Sequence, residues 1–101
     1  MASNIRNQEE ISDYANESEV PITINRNGFS PSEIKINAVK KYDFIFSKGI
    51  FVTCSELTIN ELNVKTYLKN QKETVPIRIS RTGTYEITCK EEGIKLKVIV
   101  Q

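Results

Sequence analysis

Gly83-Thr84-Tyr85-Glu86-Ile87-Thr88-Cys89 reads as a turn, a short strand and a cysteine at the strand's end. Successive strand residues point to opposite faces, so Tyr85, Ile87 and Cys89 share one face and Thr84, Glu86 and Thr88 the other. The thiol therefore lies on the side of the core residues. Upstream, Val75, Ile77 and Ile79 alternate with Pro76, Arg78 and Ser80, and Arg81-Thr82-Gly83 turns the chain. Pro76 has no N–H to give a ladder, which places that strand at a sheet edge. Downstream, Lys90-Glu91-Glu92-Gly93 makes another turn, into a last strand carrying Ile94, Leu96, Val98 and Val100.

The same period of two begins at Val20. Ile22 and Ile24 alternate with Thr23 and Asn25 up to the turn Asn25-Arg26-Asn27-Gly28. After Phe29-Ser30-Pro31 come Ile34, Ile36 and Ala38, the turn Lys40-Lys41, and then Tyr42, Phe44 and Phe46. Lys48 to Cys54 lacks alternation, and Phe51 and Val52 predict a loop packed on the body or a buried edge. Leu57 and Ile59 mark one more strand, whose parity puts Cys54 and Glu56 on the opposite face. Residues 61–73 read as a crossing loop with room for a short strand. Seven or eight short strands at regular spacing, and no helix signal in the body, predict an all-β, Greek-key antiparallel sandwich.

Residues 1–19 are polar and acidic and are expected to be a flexible lead-in or linker, with residues 20–101 as the domain. The first twenty residues set one basic against five acidic side chains, while the whole chain of 101 residues carries +1. Basic residues elsewhere are scattered among carboxylates, which describes a solvated β surface and excludes a nucleic-acid face. No run approaches the ~18 apolar residues of a membrane span. Neither does the start carry the basic and apolar regions of a signal peptide. Histidine is absent, which removes histidine zinc sites, Ser-His-Asp triads and Cys-His nucleophile pairs, and the chain reads as non-enzymatic.

"G-F-S-P" at 28–31 and "G-T-Y-E-I-T-C" at 83–89, with the strands around them, resemble the cupredoxins, in which such a corner opens the sandwich and such a strand delivers a copper-ligating cysteine. The Lys-, Asn- and Ile-rich composition fits a bacterial member. The resemblance implies a cupredoxin-like fold in which Cys89 holds the ligand-cysteine position and Cys54 falls near the first ligand-histidine position. The two would then be neighbours in space. It also implies that Glu92, three residues past Cys89, stands where a short-looped member has its second histidine. This chain departs from the family in having no histidine, and its single methionine is Met1, so a type 1 copper centre is not expected.

Three readings of the cysteine pair stay open. It is a structural disulfide in a metal-free structural or interaction module, a dithiolate site for a soft ion such as copper(I) helped by Glu56, Glu91 or Glu92, or a reversible redox pair. The leading expectation is a monomeric, non-enzymatic domain that binds or relays copper through Cys54 and Cys89. An exported or membrane-tethered setting with a redox or membrane-protein partner goes with it.

Overall fold

Burial follows the alternation of the sequence in the computed structural model, which describes residues 11–101. Ten strands occur among the described residues: β1 Ile11–Asp13, β2 Glu19–Asn25, β3 Gly28–Ser30, β4 Glu33–Ile36, β5 Lys41–Lys48, β6 Glu56–Ile59, β7 Val64–Tyr67, β8 Lys72–Arg78, β9 Gly83–Cys89 and β10 Ile94–Val100. One 3-10 turn, Asn60–Leu62, separates β6 from β7. They form a six-stranded sheet in the order β1-β4-β10-β9-β6-β7 and a four-stranded sheet in the order β3-β2-β5-β8. This is the expected all-β cupredoxin-like sandwich. The strands beyond seven or eight include β1 and β3, each three residues long and too short to show a period.

Most pairings are antiparallel, but β1–β4, β4–β10 and β2–β5 run parallel. Inward residues from both sheets make one core. Ile22 and Ile24 of β2, Tyr42, Phe44 and Phe46 of β5, Ile34 and Ile36 of β4, and Leu96 and Val98 of β10 are all buried. Their opposite-facing neighbours are exposed in β2, half-buried in β4 and mostly so in β5, and mostly exposed in β10. Pro76 lies in β8, at the edge of the smaller sheet, with its missing N–H outside any ladder.

The stretch expected as a flexible lead-in needs correction where it is described; residues 1–10 lie outside the described residues. Ile11–Asp13 pair in parallel with Glu33–Lys35, and the Tyr14 N–H donates to the Lys35 carbonyl at 2.9 Å. The Ala15 carbonyl accepts from the Tyr42 hydroxyl (3.1 Å), Lys40 Nζ (3.1 Å) and Asn37 Nδ2 (3.3 Å). Tyr42 Oη in turn accepts from the Asn37 N–H at 2.8 Å. Backbone pairing and a carbonyl anchor need no apolar period, so the pattern of the sequence could not reveal them.

Candidate metal and thiol site

Cys89 closes β9, opposite Leu57 of β6 on one side and Ile94 of β10 on the other. The chain then reverses through Lys90–Gly93, where the Gly93 N–H donates to the Cys89 carbonyl at 2.9 Å and Gly93 takes φ +68°, a left-handed conformation natural to glycine. Cys54 arrives from the segment between β5 and β6. Gly49 begins that segment by donating its N–H to the Ile24 carbonyl at 2.8 Å, and a side chain there would press on that oxygen and on Asn25. The two sulfurs lie at disulfide distance, with Cα atoms 6.0 Å apart, and both residues are buried.

Parity had placed Cys54 on the face away from Leu57. That expectation is corrected: Cys54 precedes β6, which starts at Glu56, so strand alternation does not govern it. Phe51, expected to pack or to lie at a buried edge, is 84% exposed instead. Its φ of +66° swings the loop tip outward while Val52 packs on the core.

The turn after Cys89 clasps the loop that carries Cys54. Glu92 Oε2 accepts from the Thr53 N–H at 2.7 Å, and Glu91 Oε2 accepts from the Ser55 N–H at 3.3 Å and from the Ser55 hydroxyl. Glu91 Oε1 stands 3.7 Å from Cys89 Sγ. Donor atoms of Cys54, Cys89 and Glu91 all fall within 4.8 Å of one another. Of the expected carboxylates, Glu92 is engaged by Thr53, and Glu56 is paired with Lys65 at 3.5 Å. The carboxylate brought to the sulfurs is Glu91, which the sequence offered only as one of three choices.

Hydrogen bonding from the Ser55 hydroxyl holds the Glu91 carboxyl below its ordinary pKa of 4.5, against a smaller opposing effect of burial and with help from backbone N–H groups. A depressed pKa stabilises the folded state above the ordinary value, and the contribution is lost as pH falls through the lower folded-state value. Exchange of the Ser55 amide hydrogen is therefore expected to be insensitive to this carboxyl near neutrality. It should gain an acid-promoted opening below pH 4.5, which Glu91→Gln removes. Identical acid profiles for the two proteins would contradict the clasp.

The donor set suits a soft ion. Two thiols with one carboxylate match thiophilic metals once the sulfurs are reduced, whereas the imidazole pair of a type 1 copper plane has no source in a chain without histidine.

The family model described as a cupredoxin-like domain matches residues 3–100. Among curated proteins, none matches the chain by sequence. Solved structures do match it in fold. The Cu(I)-bound metal-binding domain of the Cu(I)-exporting P-type ATPase CopA from Streptococcus pneumoniae D39 superposes with TM-score 0.76 at 16% identity, over 90% of this chain and 95% of that one. A copper-binding protein in its apo form gives 0.70 at 16% identity, over 100% and 98%. Auracyanin A, a blue copper protein of Chloroflexus aurantiacus, gives 0.65 at 15% identity, over 82% and 98%.

Proposed function

The chain belongs to the cupredoxin-like domain family, and on that premise we propose that its reduced Cys54–Cys89 pair binds Cu(I) and passes it to a partner protein. The observation that carries this reading is the meeting of two buried cysteine sulfurs and the Glu91 carboxylate at the end of the sandwich. Thiolates select Cu(I) over the harder ions that carboxylates and water prefer. Bound there, copper would supply transfer by ligand exchange. Cys54 and Cys89 are the ligands in this proposal, and Glu91 stands close enough to fill a third position. Glu92 holds the Cys54 loop through Thr53, and Glu56, paired with Lys65, serves the outer face. Disulfide formation switches the site off, which suits an extracytoplasmic domain meeting a membrane or redox partner.

The test is an anaerobic titration of the reduced chain with Cu(I) against a competing chelator. One equivalent should be held at least tenfold more tightly than by Cys89→Ser. Equal affinity in the two proteins would sink the proposal. The sulfurs' disulfide distance favours a second reading, a metal-free module stapled by this bond, and absence of binding by either protein would select it.

A further inference from the structure

The sandwich is open along the side where β7, an edge of the larger sheet, faces β8, an edge of the smaller one. β6 pairs with β9 only from Leu57 to Ile59, opposite Cys89 to Ile87, and then leaves through the Asn60–Leu62 turn. Glu61 Oε1 takes over the Glu86 N–H at 2.9 Å, so the departure is satisfied at the backbone but leaves a hollow beneath it. A cavity of 390 Å³ lies there, lined by Leu62, Arg78, Ile79, Ser80, Arg81 and Tyr85. Its volume is within the range of small-molecule sites. The Tyr85 hydroxyl donates to the Arg81 carbonyl at 2.9 Å, which fixes the wall.

A second cavity of 140 Å³ shares Leu62, Arg78 and Ile79 with the first and runs on along Val64, Val75 and Ile77. A narrow continuation shares Ile59, Val75 and Ile77 with the second and touches the core at Phe46 and Ile87. The seam thus has two arginines at one end and Leu62, Val64, Val75, Ile77 and Ile79 along its length. Leu62 and Val64 are 41% and 45% exposed along it, more than their hydrophobicity favours unless something covers them.

Charge at the mouth is unbalanced. Arg78 and Arg81 have no ion pair among the described residues, and the carboxylates nearest along the chain, Glu73 and Glu86, are engaged by Asn70 and Lys95. Lys41 stands directly opposite Arg78 in the β5–β8 ladder, a like-charge pair that destabilises a sheet and that an anion would relieve. Two arginines lining one cavity suit a carboxylate or phosphate, whose oxygens a guanidinium can engage bidentately.

We propose that this seam binds a linear anionic amphiphile, its head on Arg78 and Arg81 and its chain along Leu62, Val64, Ile77 and Ile79. The site lies toward the opposite end of β9 from Cys89 and is independent of the metal reading. Decanoate below its aggregation concentration is the probe, titrated into uniformly 15N-labelled protein and followed by amide chemical shifts. Saturable one-to-one binding is expected, with the shifts confined to β7, β8 and the start of β9. Decanol and decyltrimethylammonium should bind at least tenfold more weakly. The exposed double substitution Arg78→Gln/Arg81→Gln should lose at least tenfold in decanoate affinity with a thermal midpoint no lower than that of the parent protein. Decyl phosphate in place of decanoate ranks the two head groups, and tight binding of either supports the site. Non-saturating shifts, equal binding of decanol, undiminished binding by the double variant, or preference for an acidic extended peptide over both amphiphiles would overturn it.

Discussion

Reduction of the Cys54–Cys89 bond is expected to lower the unfolding free energy by about 4 kcal/mol, the chain-entropy value for a loop of this length. The bond spans 35 residues, which include β6, β7, β8 and nearly all of β9. Freed of it, the unfolded chain gains the conformations the loop had been denied. The folded chain loses little, because Leu57 and Cys89 remain partners in the β6–β9 ladder and a buried thiol packs as a small hydrophobe. Urea unfolding with and without reductant measures the difference. The double substitution Cys54→Ala/Cys89→Ala should resemble the reduced protein, whereas serine would add the cost of a buried hydroxyl. An unchanged midpoint on reduction would show that the unfolded state is not constrained by this link. If the copper reading holds, Cu(I) added to the reduced protein at a free concentration of 100 Kd restores about 2.7 kcal/mol by binding the folded state alone.

Those thiols were legible in the sequence only through their place in a fold. The core strands announced themselves: Val20-Ile22-Ile24, Tyr42-Phe44-Phe46 and Tyr85-Ile87-Cys89 each face one way because one sheet face meets the opposite sheet and the other meets water. What escaped has a different physics. β1 is held by parallel backbone pairing to β4 and by a carbonyl shared among Tyr42, Lys40 and Asn37, none of which leaves a hydrophobic pattern. The inward turn of Cys54 is a property of a loop, set by the Gly49 contact with Ile24 and by positive φ at Phe51. Which glutamate meets the sulfurs depends on a four-residue turn closed at Gly93, where one step along the chain sends Glu91 toward Ser55 and Glu92 toward Thr53. Neither the Arg78–Arg81 mouth nor the seam behind it carries any motif, because both arise from two strands that fail to pair.

Phe46→Ala is expected to cost 3–5 kcal/mol, the range for deleting a fully buried aromatic ring. Phe46 is 1% exposed and sits between Phe29 (ring centroids 6.5 Å apart, edge-on) and Phe44 (6.1 Å). Its ring also reaches across the sandwich to the narrow void it shares with Leu57 and Ile87. Truncation would join that void to the space left by the ring, and the three-strand body of β2, β5 and β8 cannot close it without breaking its ladders. Domains of this size carry roughly 5–15 kcal/mol in all. Oxidised Phe46→Ala should therefore fold with a reduced urea midpoint, while the same variant with Cys54–Cys89 reduced, losing a further ~4 kcal/mol, should be largely unfolded at 25 °C. Phe46→Leu, which keeps most of the volume, should remain folded in both redox states. Near-UV circular dichroism and urea titration of the variants in each redox state decide the matter. A cost below 1 kcal/mol for Phe46→Ala would mean that the sheets are not held together at this ring, and that the seam between β7 and β8 extends deeper into the core than Phe46.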